Sequence, residues 1–295
     1  MKNASATPVL VLGCLSLMAA TAYPWGYATH AHIADRLNRP ANGENWDAIY
    51  AAMAPDMFNA WFDFELQTIL VLATHEGFDN VWNAAQTDAG KRLAYGFISH
   101  NDLWGADFTA HHNGRTQGAR IGYVVAKAQQ LADMEDGPLF LLGFPEELRI
   151  ELCHYIVEFE VDILMKRLDP AIGYKIMLAA ENRNNEFPGL LAAAYPDYAW
   201  LFGPAEALFQ QSMMSYGELL TLDEDEAMAA VAIYLAGLAS VYPGMPPLDP
   251  ELLVPMIGWY LAAARDVCQD NYEGEINATA GSVNRELSAR GIRSP

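Results

Sequence analysis

The 295-residue chain is 52% hydrophobic and 18% charged, a balance that excludes a disordered polymer and suffices for a large buried core. Its formal net charge is −20, a field that repels phosphate-rich polymers and anionic membranes at long range and argues against nucleic acid as a partner. A bound cluster of divalent cations would reverse that field locally.

The chain opens "MKNASATPVLVLGCLSLMAATAYPW": a lysine near the start, an apolar run from Val9 to Ala19, then Ala20-Thr21-Ala22. This is the pattern of a secretory signal spanning 1–22 with cleavage before Tyr23, and it predicts a secreted or periplasmic protein. A lipoprotein signal centred on Cys14 is the lesser alternative, because the apolar run continues well past that cysteine. No later stretch offers eighteen uninterrupted apolar residues, so no membrane span is expected after residue 22. Beyond the signal only Cys153 and Cys268 remain, enough for one bridge or two free thiols but not for a disulfide framework.

Helical spacing dominates the rest, and the β-branched alternation of strands is nearly absent. The expected fold is an all-α, multi-helix bundle. Asp169-Pro170, Gly203-Pro204 and Asp249-Pro250 each place a capping-type residue before a proline at a first helical position. Thr221 with Glu224 forms a capping box ahead of "DEAMAAVAIYLAGLASVY", and "YPGMPPLDP" (242–250) is the clearest loop. All seven histidines lie at or before residue 154. We therefore expect the chemistry in 23–168, with 169–295 as a helical extension, whether a separate layer or part of the same domain.

In chain order the first chemical stretch is "YPWGYATHAHIADRL" (23–37), which carries Trp25, His30 and His32. "APDMF" then sets Asp56 after a proline, and "LATHEGF" sets His75 after an apolar run. Either residue alone reads as a helix cap or a satisfied core group. In "GFISHNDLWGADFTAHH" (96–112), a continuous helix would align His100, Trp104, Asp107 and His111 on one face, although Gly105 weakens such a helix by about 1 kcal/mol. Imidazole and carboxylate on one face are the ligands zinc takes in water-accessible sites; a polar face of hydrogen-bonded histidines is the plainer alternative.

The segment "EELRIELCHYIVEFEVDILMKRL" (146–168) projects Glu147, Glu151, His154, Glu158 and Asp162 along a narrow arc of an otherwise largely apolar helix. Unpaired charge in such a helix must meet something cationic, unless the arc is simply a solvated seam of ion pairs.

The ordered set Trp25, His30, Asp56, His75, His100, Asp107, His111, His154 and Glu158 resembles the zinc-dependent phospholipase C family, which shares its site design with single-strand-specific zinc nucleases. The resemblance covers about residues 25–160. It implies that these nine residues bind two or three zinc ions, with Asp107 bridging metals and Asp56 also orienting or deprotonating the attacking water. Six residues separate His100 from Asp107 where the family has three, and a usual proline is missing before the next histidine. His112 or Asp102 therefore stays open as a replacement ligand, and His32 is expected to be a bystander. In the best-known members the tryptophan is the first mature residue and binds metal through its amine; here Tyr23 and Pro24 precede Trp25.

The activity implied is hydrolysis of a phosphodiester, most directly phospholipase C-type cleavage of phospholipid head groups. The membrane surface would then enter only as substrate. Phe58, Trp61, Phe62 and Phe64 fit an apolar lip for lipid and fit an ordinary core equally well. The alternatives are a zinc nuclease, a non-catalytic zinc-binding secreted protein and a metal-free helical domain. The closing His154-x-x-x-Glu158 leans toward the lipase, since the nuclease pattern ends in aspartate.

Overall fold

The computed structural model describes residues 25–37, 45–58, 64–116, 120–241 and 249–295. They form fifteen α-helices and two short 3-10 turns, with no strand among the described residues. The all-α expectation therefore holds. The leader through Ala22, Cys14 with its lipoprotein alternative, Trp61, Phe62 and 242–248 of the expected loop lie outside the described residues. No helix among the described residues is long and apolar enough to cross a membrane.

The elements that build the site come early. α1 is Tyr27–Leu37 and α2 is Trp46–Met53, followed by a 3-10 turn over Ala54–Phe58. α3 (Phe64–His75), α4 (Asp79–Ala84), α5 (Asp88–His100), α6 (Ala106–His111), α7 (Tyr123–Ala132) and α8 (Pro138–Leu141) follow. α9 (Glu146–Leu168) is the long inner helix, about 35 Å from end to end at 1.5 Å per residue. The remaining helices are α10 (Ile172–Asn182), α11 (Phe187–Ala194), α12 (Ala199–Thr221), α13 (Glu224–Val241), α14 (Pro250–Cys268) and α15 (Tyr272–Ala289).

α2 packs along α5, α9 against α7, α13 and α14, and α1 against α2, α9, α10 and α15. A Cβ on Gly96 would stand 2.1 Å from the Ala48 carbonyl oxygen, so a residue without a side chain is what lets α5 approach α2 so closely. α5 starts where Thr87 Oγ1 accepts the Gly90 amide at 2.8 Å, and its inner face buries Leu93, Ala94, Phe97 and Ile98. One continuous apolar core runs from Trp25 and Ala28 through Val161 to Phe187, Met213, Tyr260 and Val283. Helices from beyond residue 169 thus cover the helices that carry the histidines.

Several helix boundaries differ from the sequence expectation. Asp249 caps α14 with Pro250 at its first position, as expected. Asp169-Pro170 lies just ahead of α10, which begins at Ile172. Gly203-Pro204 does not start a helix: the 3-10 turn Pro196–Tyr198 feeds α12 at Ala199, so the helix is already running when it reaches Pro204. The capping box is displaced by two residues. α12 extends through Thr221, whose hydroxyl donates to the Glu218 carbonyl at 2.7 Å, and Asp223 pairs instead with Glu226, its Oδ1 accepting the Glu226 amide at 2.8 Å. Cys153 and Cys268 are separate, buried thiols, each pushed up to about 12 by burial.

Candidate metal centre

The histidines arrive at the ends of helices, where the chain can change direction and bring side chains together. His75 and His100 are the last residues of α3 and α5, and His111 is the last of α6. Asp56 sits in the 3-10 turn after α2, Asp107 in the first turn of α6, His30 in α1, and His154 and Glu158 one turn apart inside α9. All of these except His111 are buried, and His111 is partly so.

His30, His100 and Asp107 place ligand atoms within 4.8 Å of one another, as do Asp56, His75 and His100. Asp107 spans the two sets: its Oδ1 is 3.0 Å from His30 Nε2, and its Oδ2 is 2.8 Å from His100 Nε2 and 3.5 Å from His75 Nε2. Asp56 Oδ1 lies 3.3 Å from His75 Nε2 and 3.7 Å from His100 Nε2. Atoms bound about 2.0–2.2 Å from a zinc ion stand roughly 3.3–3.6 Å apart at tetrahedral angles, and the spacings here, 2.8 to 3.7 Å, bracket that range. His30 Nε2 and Asp107 Oδ2 are buried yet make no hydrogen bond despite these close approaches. Ligand atoms crowded this closely in a buried setting could share a cation.

The ring nitrogens facing away explain why. His100 Nδ1 donates to the Ala52 carbonyl at 2.8 Å and His75 Nδ1 to the Val71 carbonyl at 2.9 Å. A carbonyl oxygen only accepts, so these bonds put the proton on Nδ1 and leave the Nε2 lone pairs pointing inward. Burial works against charge at His30, His100 and Asp107. It lowers His30 below the ordinary imidazole value, helped by His100. On His100 it also acts downward, but Asp107 and Asp56 outweigh it and raise the imidazole to about 9. Asp107 resists burial because His100 and His30 hold its carboxyl well below the usual carboxylate range.

A second group adjoins the first. His154 Nε2 lies 2.9 Å from Glu158 Oε1, and the His111 ring is 5.5 Å from that of His154. His111, His154 and Glu158 offer ligand atoms within 4.8 Å of one another. His111 Nδ1 donates to Asp102 Oδ1 at 3.0 Å, which leaves its buried Nε2 bare. Burial raises Glu158 well above the ordinary carboxylate range, and nearby Asp56, Asp107 and Asp162 push in the same direction. Together the two groups hold three carboxylates and five imidazoles. Buried histidine and carboxylate groups this close could hold metal ions, and the crowding of acids favours divalent ones.

The nine sequence candidates converge, with Trp25 in a different role from the other eight. Its indole stacks on Tyr123 and donates to Thr109 Oγ1, and its backbone N–H donates to Asp107 Oδ1 at 3.3 Å. The continuous helix expected through 100–111 is broken. Asn101 Oδ1 accepts the amides of Leu103, Trp104 and Gly105, ending α5 at His100, and a Cβ at Gly105 would lie 2.4 Å from the His100 carbonyl oxygen. The break folds Asp107 back onto His100 and sends His111 to the other group. His112 is exposed and bonds Asp102 Oδ2 at 2.9 Å, so Asp102 is the support of both histidines. His32 lies apart from the centre, among Arg36, Asp169 and Lys175. Phe58 does not form a lip: it is fully buried against Phe202.

Sequence reasoning missed three supports, namely the Val71 and Ala52 carbonyls and the anchoring role of Asp162. Backbone carbonyls leave no signature in a sequence; Asp162 did, as the last member of the acidic arc. Comparison with protein-family models, curated proteins and solved structures finds no match.

Proposed function

We propose that this chain is a zinc-dependent phosphodiester hydrolase, acting as a phospholipase C on phospholipid head groups. The observation that carries the reading is the clustering of eight buried or partly buried histidine, aspartate and glutamate side chains, from residues 30 to 158, into sets whose ligand atoms lie within 4.8 Å of one another. The donor set is imidazole and carboxylate with no thiolate, which suits a water-accessible hydrolytic zinc site better than a closed structural one.

His30, His75, His100, Asp56 and Asp107 would hold the inner ions, and His111, His154 and Glu158 would hold the outer one. Zinc there supplies a lowered pKa for water, neutralisation of phosphate oxygens and stabilisation of the departing alkoxide. Asp56, on the inner wall, orients the attacking water and accepts its proton. The Val71 and Ala52 carbonyls and Asp102 fix the orientation of the His75, His100 and His111 rings. The net charge of −20 disfavours a nucleic-acid substrate, and the leader-like first 22 residues support an extracytoplasmic setting.

The test is metal analysis of the gently purified chain together with turnover of a phosphocholine ester and of single-stranded DNA. Two or three zinc ions with ester cleavage is the expected result. Cleavage of DNA alone would make the protein a nuclease, and bound zinc with neither activity would make the cluster structural.

A further inference from the structure

On α9 the residues His154, Glu158 and Asp162 follow one another at single-turn spacing, and the first two belong to the outer ligand group. Asp162 has a different task. It is fully buried, and its carboxylate accepts four hydrogen bonds, all of them involving either the start of α1 or Tyr216. Oδ2 takes the Ala28 amide at 2.7 Å and the Tyr216 hydroxyl at 2.6 Å; Oδ1 takes the Thr29 amide at 2.9 Å and the Thr29 hydroxyl at 2.8 Å. The first amides of a helix have no partner within it and form its positive end. α1 is thus capped by a carboxylate from a different helix rather than by a residue of its own. Burial pushes Asp162 up to about 6 against the pull of Tyr216, Ala28 and Thr29.

Gly26 belongs to the same device. A Cβ there would stand 2.4 Å from Asp162 Oδ2 and 2.7 Å from Oδ1, so any side chain would push the carboxylate off the helix. The turn so gripped carries Trp25 on one side and His30 on the other, the His30 amide bonding to the Gly26 carbonyl at 3.2 Å. Both reach the same acid, Trp25 N at 3.3 Å and His30 Nε2 at 3.0 Å from Asp107 Oδ1.

We infer that Asp162 is the positioning residue that seats Trp25 and His30 on Asp107, tying the His30–His100–Asp107 metal group to the helix that carries the outer ligands. The inference rests on the metal-centre reading above. It assigns Asp162 no contact with metal or substrate; its effect passes through the depth and angle at which α1 presents His30. The outer set, His111, His154 and Glu158, shares no ligand with that group, whereas the Asp56–His75–His100 set shares His100 with it.

The experiment compares the zinc-loaded full chain with Asp162→Asn, Gly26→Ala and Tyr216→Phe. Zinc per chain, chelator competition and the visible spectrum of the cobalt-substituted protein are read alongside far-ultraviolet circular dichroism. Asp162→Asn and Gly26→Ala should weaken one class of ion by about 10–100-fold, the range found when a group supporting a ligand is lost. The remaining ions and the helical signal should persist, and one component of the cobalt spectrum should change. Tyr216→Phe removes a single bond to the same carboxylate and should weaken the same class to a smaller degree, which keeps the test decisive if the other two variants fail to fold. A wild-type chain without metal would remove the metal-centre reading itself. A metal-loaded wild type beside variants that hold every ion unchanged, or lose all ions in parallel, would overturn the role of Asp162 alone.

Discussion

The Nε2 atoms of His75 and His100 face each other across 3.1 Å, while both Nδ1 atoms donate to main-chain carbonyls. Two imidazoles so fixed point lone pairs at each other and at Asp56 and Asp107, an arrangement that only a shared cation or added protons can relieve. His100 belongs to both inner groups, whereas His154 belongs to the outer group alone. His100→Ala should therefore release the inner ions and cut phosphodiester hydrolysis by more than about 100-fold, beyond the effect of losing a merely supporting residue. His154→Ala should lose about one ion. Zinc per chain in the two variants checks the ranking, and equal losses would contradict it.

Stripping the metal should make stability depend on pH in a particular window. In the metal-free protein, burial works to lower His100, but Asp107 and Asp56 raise it to about 9, above the ordinary 6.5. A raised imidazole contributes stability that is fully present below its unfolded value and is lost as pH rises through its folded one. The thermal midpoint of the chelated protein should thus fall between pH 6.5 and 9, with about 3 kcal/mol at stake for a shift of that size. The zinc-loaded protein should show no such decline there, since metal replaces the proton. Thermal scans of both forms across that range provide the check.

Asp102 supports the outer group without entering it. Its carboxylate orients His111 through Nδ1 at 3.0 Å and holds His112 at 2.9 Å. Asp102→Ala frees the His111 ring to rotate and should weaken the outer ion by about 10–100-fold. His112→Ala, at an exposed position, should leave metal affinity close to wild type. Isothermal titration of zinc into both variants separates the two roles.

The clustering of histidines and acids between residues 30 and 158 was legible in the sequence, because such groups in an apolar, helical chain are driven toward one another or toward a cation when buried. The register between His100 and His111 was not. A periodicity argument carries one helix through Asn101, but that side chain accepts three backbone amides and stops it. The same contest between side chain and backbone moved the cap of α13 from Thr221 to Asp223, since a threonine can equally well bond back into the helix it ends. Pro204 marked a boundary in the sequence and sits inside α12, its position decided by the turn before it rather than by its own ring. The acidic arc of 146–168 read correctly as buried charge only from His154 onward; Glu147 lies in solvent.

The seam between α2 and α5 carries the last prediction. Gly96 meets Ala48, and one turn further along both helices His100 meets Ala52, donating Nδ1 to its carbonyl at 2.8 Å. A Cβ at residue 96 would fall 2.1 Å from the Ala48 oxygen and 2.6 Å from its Cα; both are backbone atoms inside a helix and neither can yield. Gly96→Ala must therefore push α5 outward, and His100 moves with it. Alanine's better helix propensity, worth about 1 kcal/mol, is too small to offset a backbone clash in a packed core, where overpacking costs about 1–3 kcal/mol or more. The variant should unfold at a lower temperature and hold the inner ions more weakly. Gly189→Ala supplies the contrast: that position in α11 has nothing within 4 Å of an added Cβ, so it should keep wild-type metal affinity and gain up to about 1 kcal/mol. Thermal unfolding and chelator competition on the pair distinguish a displaced His100 from a general response to replacing glycine. Unchanged zinc affinity in Gly96→Ala, at a lowered midpoint, would show that the seam sets stability without setting the position of the ligand.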